Sequence, residues 1–260
     1  MRQTAKPLST DELNQYRTLG FLVRERQYTE LELTELGKAV NHVSCRAAQD
    51  DGREYILDNK RFLDTDEYTV QFEYPQNTHT PRVIEPVDQA HPCLSALVDD
   101  PRLTLPISSI LNTTELALWT AKLNMKQPGG AGFGWHQDSP YWIHDSTHVD
   151  LLPNVMLLLD DQHEGNGCFS LIPHSHHQGI LPGTDDGSQL GGFYTDPGQF
   201  DAQSAYQCEL PAGSLVFFNP HTVHGSAPNQ SDSPRRALIY TYQPGGFATL
   251  KTGCVRNVSA

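Results

Sequence analysis

Cationic residues are scarce in this chain. Its 260 residues include 18 Lys and Arg against 31 Asp and Glu, which gives a formal net charge of −13. Proteins that bind nucleic acids or anionic membrane surfaces need surplus cations opposite the phosphates. The charge balance therefore argues against a nucleic-acid partner and against a membrane-surface partner.

Long apolar runs and paired cysteines are also missing. No segment approaches the roughly 20 apolar residues of a membrane span, and residues 1–7 lack the apolar core of a signal peptide. Five cysteines, odd in number and widely scattered, are typical of reduced thiols and not of a disulfide framework or a zinc cluster. They are Cys45, Cys93, Cys168, Cys208 and Cys254. We therefore expect a cytoplasmic protein.

Helical patterns are concentrated near the N-terminus. Ser9 and the residues after it form a plausible N-cap for a first helix that ends near Gly20, and apolar residues at helical spacing predict a second helix over 29–48. Beyond Ala117, short strands separated by Gly, Pro and Asn predominate. The best strand candidates are 118–125, 154–159, 168–172, 214–218 and 236–243, preceded by 68–72.

This succession indicates a mainly β fold. Many short strands with clear turns are typical of a sandwich or barrel, and a jelly roll is common at this length. We expect a single domain, 1–260, in which a helical layer over about 9–50 covers a jelly-roll core over about 115–245. A Gly-, Asp- and Ser-rich stretch, 178–207, is long enough to be a surface loop that covers a site.

The most informative motif is the tetrapeptide that contains His136 and Asp138, Trp-His-Gln-Asp. Residues i and i+2 of a strand point to the same face, so both side chains can reach one ion. With one distant histidine they form two imidazole ligands and one carboxylate, the ligand set of non-haem Fe(II) oxygenases. Three protein ligands leave room for a bidentate co-substrate and O₂.

Other histidines compete for these positions. A second His-x-Asp motif spans 148–150, but His136 follows a Gly-rich turn and has aromatic neighbours, which favour it. For the distal ligand, His221 and His224 are both available and face opposite ways in an extended segment. His224 is favoured because Gly225 permits close backbone approach and Ser226 lies on the same face. A third group, His174, His176 and His177, has the pattern of polar loop residues.

Two adjacent arginines follow the distal histidines. A dicarboxylate co-substrate needs a cation at the end remote from the metal, and Arg offers a bidentate fork that Lys lacks. Strand alternation directs one of Arg235 and Arg236 inward and the other outward.

Together these segments resemble the phytanoyl-CoA dioxygenase family over roughly 115–245. The resemblance rests on His136-Gln137-Asp138, on residues 165–176 (GNGCFSLIPHSH), and on His224-Gly225-Ser226 with Asn229 and Arg235. It implies a double-stranded β-helix, a form of jelly roll, that uses Fe(II), 2-oxoglutarate and O₂. It also implies that Arg235, eleven residues after His224, binds 2-oxoglutarate with help from Ser226.

The resemblance further implies a hydroxylase that converts 2-oxoglutarate to succinate and CO₂. Asp138 argues against halogenation, because halogenases of the family have a small residue there. Desaturation, epoxidation, cyclisation and endoperoxidation use the same ligands. A non-redox cupin-like isomerase or binding module is a more distant alternative, against which Asp138 and Arg235 both argue.

The substrate is expected to be a small molecule, because no basic cluster is available for a CoA phosphate. Aromatic residues near the motif are candidates to line its pocket. They are Trp135, Tyr141, Trp142, Phe193 and Tyr194. Among them we select Trp142 as the substrate-binding residue.

Overall fold

The computed structural model describes residues 4–74, 76–184 and 193–258. Helix α1 (Thr10–Leu19) begins with a capping box, in which the Ser9 hydroxyl accepts from the Glu12 amide and the Glu12 carboxylate accepts from the Ser9 amide. It ends at Gly20, whose φ of 86° is a left-handed C-cap. The first predicted helix is therefore confirmed.

A second capping box starts the next helix. Strand β1 (Phe21–Arg24) leads to α2 (Glu30–Ala47), where Thr29 and Glu32 cap each other reciprocally. One face of α2 is buried through Leu36, Gly37, Ala39, Val40, Val43 and Ala47. The predicted helical layer is present, and its apolar face belongs to the main core.

Most of the remaining elements are strands. In chain order they are β2 (Arg53–Leu57), β3 (Lys60–Asp64), β4 (Thr69–Phe72), β5 (Pro81–Glu85), α3 (Pro92–Leu97), α4 (Pro101–Leu111), β6 (Leu116–Lys126), β7 (Phe133–His136), α5 (Ser139–Trp142), β8 (Asn154–Leu158), β9 (Phe169–Leu171), β10 (Tyr206–Gln207), β11 (Leu215–Phe218), β12 (His224–Ser226) and β13 (Arg235–Pro244).

These strands form two antiparallel sheets among the described residues. The larger has the order β1-β11-β8-β13-β6-β5-β4-β3-β2, and the smaller has the order β10-β9-β12-β7. In β8, Val155 and Leu157 belong to the core cluster shared with the helices, whereas Met156 and Leu158 pack with Phe169 of the smaller sheet. This period-2 alternation places a helical layer on one face of the large sheet and the small sheet on the other. The predicted jelly-roll fold is confirmed.

The N-terminal half contains more structure than the sequence patterns indicated. Helices α3 and α4 lie outside the expected helical layer, and the large sheet extends over β1 to β5, outside 115–245. Both helices begin with proline, at Pro92 and Pro101, and α4 contains Pro106. Proline is tolerated in the first turn of a helix, but within a sequence it usually indicates that a helix ends, so these two helices were not predicted.

Part of the expected surface loop lies outside the described residues, namely 185–192. The described remainder has short 3₁₀ turns, a bridge between Gly183 and Thr195, and strand β10. Across the described ranges, no helix combines the length and apolarity that a membrane crossing requires.

Candidate active site

A cavity of about 270 Å³ lies where the two sheets face each other. This is close to the lower end of the range of about 300–1,000 Å³ that small-molecule sites occupy. Strands β3 to β6 line one side, and β7 and β12 line the other. Its polar wall includes His136, Asp138, His224, Ser226 and Arg235, so five of the six predicted site residues meet in one place.

Three of these residues could hold a metal ion. The ligand atoms of His136, Asp138 and His224 lie within 4.8 Å of one another, the one such group of His, Cys, Asp or Glu found in the described part of the chain. The two imidazole centroids are 4.2 Å apart, and His224 Nε2 lies 3.9 Å from Asp138 Oδ2. Two nitrogens and one oxygen converging on one point fit a ferrous ion with open coordination positions.

Strand pairing brings the two histidines together. His136 is the last residue of β7 and His224 the first of β12, and the two are direct partners in the antiparallel register. Gly225 is needed beside them, because a Cβ there would lie 3.0 Å from Phe133 O and 3.2 Å from the Trp135 ring. The small residue thus allows β12 to approach β7 closely enough for the imidazoles to meet.

Asp138 reaches the site by a different route from the one predicted. Strand β7 ends at His136, and Asp138 precedes the short helix α5 with φ −77° and ψ −32°. Its amide donates to Pro220 O at 3.0 Å, which anchors the turn. The prediction that Asp138 lies beside His136 was right, but its reason was wrong, because the two residues do not alternate along one strand.

Gln137, between the two predicted ligands, fixes this turn. It is fully buried, its Nε2 donates to His221 O at 2.6 Å and to Gly179 O at 2.8 Å, and its Oε1 accepts from the Leu181 amide. A buried glutamine with every contact to backbone acts as a clamp between the strand end and the following turn.

Local backbone carbonyls orient both imidazoles. His136 Nδ1 lies 2.7 Å from Gly134 O, and His224 Nδ1 lies 2.8 Å from Thr222 O. These contacts leave each Nε2 directed at the cavity, as metal-binding histidines require. Burial lowers the pKa of His136 to about 3, with a further contribution from His224, and burial likewise lowers the pKa of His224. Both rings are therefore neutral ligands at physiological pH.

The Asp138 carboxylate has two further neighbours. Asn154 Nδ2 donates to Asp138 Oδ2 at 2.9 Å, and Asn154 Oδ1 in turn accepts from the Thr241 hydroxyl. Lys122 Nζ lies 3.7 Å from Asp138 Oδ1. Burial alone would raise the pKa of Asp138, but Lys122 and the two histidines lower it below its usual value. The carboxylate is thus ionised and oriented before any metal binds.

Arg235 lies at the other end of the polar wall. It is 4% exposed, its Nε has no hydrogen-bond partner among the described residues, and NH1 makes one long contact of 3.3 Å with Gln162. Burial lowers its pKa to about 10, so the guanidinium still carries its charge at neutral pH. An under-bonded buried guanidinium facing a cavity fits a carboxylate ligand.

Ser226 and Lys126 extend this cationic end. Lys126 Nζ donates to Ser226 Oγ at 2.9 Å, to Gly167 O at 3.0 Å and to Ala227 O. When Lys126 is protonated, its ammonium has no lone pair, so Ser226 Oγ accepts from it and the Ser226 proton remains free for the cavity. The adjacent Arg236 points outward and pairs with Asp160 at 2.7 Å, as strand alternation requires.

The competing histidines have other partners. His148 Nε2 contacts Gln243 Oε1 at 3.0 Å, while Asp150 pairs with His221 Nε2 at 2.7 Å. His221 also contacts the Ser139 hydroxyl. Asp150 of the second His-x-Asp motif therefore pairs with the alternative distal histidine, and neither His148 nor His221 belongs to the group that could hold a metal.

The histidine cluster after Pro173 contacts the end of helix α1. His174 Nδ1 and His177 Nε2 lie near Thr18 O, and His176 Nε2 lies 3.0 Å from Arg17 O. These carbonyls belong to the last turn of a helix, where no intrahelical partner is available. The cluster acts as a C-terminal cap.

Trp142 does not belong to the cavity wall, contrary to our selection. It is 2% exposed and packs with Trp119 and Leu152 in a separate small core cluster. Tyr141 and Tyr194, two of the other aromatic candidates, line the cavity instead. The turn after Asp138 is helical, so adjacent aromatic side chains diverge by about 100° and only one faces the site.

Several lining residues were missed from the sequence. Lys122 and Asn124 line the cavity from alternate positions of β6, and alternation of polar residues usually marks a solvent-exposed face. Lys60 and Arg82 lie far upstream of every motif, on β3 and β5. The polar residues of β6 could have been predicted to line a cavity from their alternation. Nothing in the sequence around Lys60 or Arg82 indicates that they do so.

The family model described as phytanoyl-CoA dioxygenase (PhyH) matches residues 16–237. The chain belongs to the phytanoyl-CoA dioxygenase family. The match covers most of the chain and includes both the metal-binding group and Arg235. It confirms the predicted family and dioxygenase class, with iron as the metal and 2-oxoglutarate and O₂ as the co-substrates.

Two curated relatives of this PhyH protein span nearly its whole length. A methylphosphonate hydroxylase of Gimesia maris is 23% identical over 90% of this chain and 80% of that protein. An ectoine dioxygenase of Bordetella parapertussis is 29% identical over 92% of this chain and 76% of that protein. Both have names that denote oxidation of a small molecule.

Solved structures agree in fold with the PhyH protein. EctD from S. alaskensis with bound Fe superposes with a TM-score of 0.70 at 21% identity, over 93% of this chain and 79% of that one. The non-heme alpha ketoglutarate dependent carbocyclase SnoK from nogalamycin biosynthesis has a TM-score of 0.70 at 20% identity, over the full length of both chains.

Proposed function

We propose that this PhyH-family protein hydroxylates a small molecule with Fe(II), 2-oxoglutarate and O₂, and that His136, Asp138 and His224 are its metal ligands. The observation that carries the proposal is that this triad and a buried, under-bonded Arg235 line one cavity. A metal-dependent isomerase or binding module has no need of such a cation.

Each ligand is prepared for the metal by a neighbour. Gly134 O and Thr222 O direct the two Nε2 atoms inward, and Asn154 holds one oxygen of Asp138. When bound, iron supplies the chemistry by which 2-oxoglutarate and O₂ are converted to succinate, CO₂ and an inserted oxygen atom. The residues supply orientation and keep bulk water from the cavity.

Arg235 and Ser226 hold the remote carboxylate of 2-oxoglutarate. The guanidinium offers its free Nε–H, and the Ser226 hydroxyl can donate its own proton once Lys126 is protonated and donates to Ser226 Oγ. Both groups lie in the same cavity as the triad, so a dicarboxylate can reach from one to the other.

The substrate is a small molecule, in keeping with the relatives that act on methylphosphonate, ectoine and L-proline. Tyr141 and Tyr194 line the cavity and replace Trp142 as candidate substrate contacts. Free thiols at all five cysteines support a cytoplasmic location.

Hydroxylation is preferred to halogenation because Asp138 fills the position a halide would take. A carboxylate ligand also repels a second anion at the metal. The test is an aerobic assay of succinate release over a small-molecule panel with chloride in excess, followed by mass spectrometry of the product. Gain of one oxygen atom supports the proposal, whereas a chlorinated, desaturated or cyclised product, or product without succinate, contradicts it.

A further inference from the structure

A second buried cation, Lys60, lines the cavity from the side of β3. Its side chain is almost wholly enclosed, with the residue 6% exposed. Its Nζ donates to Tyr194 OH at 2.7 Å and lies 4.9 Å from the centre of the Tyr74 ring. The ammonium is therefore held between two aromatic side chains, with its tip at the cavity.

No carboxylate lies within ion-pair distance of Lys60 in the described ranges, 4–74, 76–184 and 193–258. The other cavity cations differ in this respect. Arg82 pairs with Glu73 at 3.2 Å, and Lys122 lies 3.7 Å from Asp138. Arg235 is assigned above to the remote carboxylate of 2-oxoglutarate. Lys60 thus remains as a cation that neither the described chain nor the co-substrate neutralises.

A buried ammonium without an anion is expensive, because desolvation is not offset by an ion pair. A hydroxyl and an aromatic face compensate only partly. An anion that enters the cavity at this point gains a partly desolvated, preformed cation. The energetic balance therefore favours a negatively charged ligand group.

Tyr194 adds a directed donor to the same position. Since Lys60 can only donate, the Tyr194 oxygen accepts, and the phenol proton stays free for a ligand. Tyr194 is also tied to the metal side, because its backbone bridges to His136 and its ring packs where a Cβ on Gly134 would lie. The position of the two donors relative to the triad is thus fixed.

Resting on the proposed function, we propose that the substrate carries an anionic oxygen group, a carboxylate or a phosphonate. This group binds Lys60 Nζ and Tyr194 OH, while the carbon to be oxidised faces the triad. The subsite is separate from that of 2-oxoglutarate, which Arg235 and Ser226 hold. A neutral analogue lacks the charge that this pair recognises.

The test is calorimetric titration under anaerobic conditions of protein saturated with Fe(II) and 2-oxoglutarate. The probes are acetate and methylphosphonate, each compared with a neutral partner, acetamide and dimethyl methylphosphonate. They distinguish a carboxylate subsite from a phosphonate subsite. The variants are Lys60→Met, Lys60→Arg and Tyr194→Phe, with Lys38→Met as the control that removes an exposed charge from α2.

We expect at least one anion to bind and to weaken about 30-fold or more in Lys60→Met, as is typical when one partner of a buried charge pair is removed. Tyr194→Phe should weaken it about tenfold, the effect of a lost hydrogen bond to a charged group. Lys60→Arg should retain most of the binding, and Lys38→Met all of it. The thermal midpoint of Lys60→Met should not fall, because the variant removes an uncompensated charge.

Three results would overturn the inference. They are the absence of saturable anion binding, equal anion affinity in Lys60→Met and the unaltered protein, and loss of 2-oxoglutarate affinity in Lys60→Met. The charge-transfer band of the Fe(II)–2-oxoglutarate complex is recorded in the same samples. Its absence counts against the proposed function, and the anion titration on cofactor-free protein then still tests Lys60 by itself.

Discussion

The two walls of the cavity are built differently. On the wall formed by β7 and β12, each metal-binding imidazole is fixed by a carbonyl two residues away in the chain, Gly134 O or Thr222 O. On the wall formed by β3 and β5, the cations are fixed by distant residues. Lys60 contacts Tyr194, and Arg82 NH1 donates to Ala131 O at 2.7 Å.

This difference separates two tasks. Local contacts allow a short segment to carry its ligand geometry with it, which suits the metal site. Long-range contacts make the opposite wall depend on how the whole sheet assembles, which suits a surface that selects a substrate. Variants of the first wall should therefore abolish iron binding, while variants of the second should leave it intact.

The largest effect is expected for the metal ligands. His224→Ala should reduce iron affinity by more than about 100-fold, because loss of an outer-sphere partner alone costs about 10- to 100-fold. Iron content after gel filtration and turnover should both fall. His221→Ala is the matched control, since His221 pairs with Asp150, and it should keep its iron. Full occupancy in His224→Ala would refute the ligand assignment.

Next in size is the loss of the co-substrate cation. Arg235→Ala should weaken 2-oxoglutarate binding by about 30- to 5,000-fold, which corresponds to about 2–5 kcal/mol for a buried charge partner. Iron affinity should be unchanged. In Arg236→Ala, the outward guanidinium that pairs with Asp160 is lost, and 2-oxoglutarate affinity should stay as it was. Equal behaviour of the two variants would contradict the role of Arg235.

A smaller effect tests the residue behind Asp138. Asn154→Ala should lower iron affinity about 10- to 100-fold, because the carboxylate loses the donor that orients it. Thr241→Val removes the next contact in the same chain of hydrogen bonds and should have a weaker effect of the same sign. Metal titration decides the point, and an Asn154→Ala protein with normal iron affinity would rule out the orienting role.

The smallest expected effect is a change in the protonation of Lys126 when 2-oxoglutarate binds. Burial, together with repulsion from Arg235 and Arg82, lowers the pKa of Lys126 to about 6. A carboxylate of 2-oxoglutarate beside Arg235 stabilises the charged form, so binding should raise this pKa and take up as much as about one proton near pH 7.5.

Calorimetry in buffers of different ionisation enthalpy measures this uptake. Lys126→Met removes the titrating group and should abolish the uptake while Arg235 still binds the co-substrate. Uptake of the same size in Lys126→Met would show that another group takes the proton.

Much of the metal wall was predictable from the sequence. The jelly-roll strands follow from the strand and turn pattern, and the motifs predicted that His136, Asp138 and His224 would meet. The choice of Arg235 over Arg236 came from the family resemblance, because alternation alone leaves the two arginines open. The route of Asp138 was not predictable, because the buried Gln137 that ends the strand looks like an ordinary polar residue. The position of Trp142 was predicted wrongly because the segment after Asp138 is helical and directs Trp142 away from the cavity.

The opposite wall was largely invisible to sequence reasoning. Lys60 is one lysine in a short hairpin strand, and nothing nearby in the chain indicates that Tyr194 approaches it. Only the pairing of β3, β4, β5 and β6 brings it to the cavity. Contacts that depend on the pairing of strands far apart in the chain cannot be predicted from the sequence around one residue.

The most direct test of the central claim is the anaerobic visible spectrum of the protein with Fe(II) and 2-oxoglutarate. We expect a charge-transfer band that needs both components, is absent from His224→Ala and Asp138→Ala, and in Arg235→Ala appears only at much higher 2-oxoglutarate concentration. No band in the unaltered protein, or a band that persists in His224→Ala, would contradict the account.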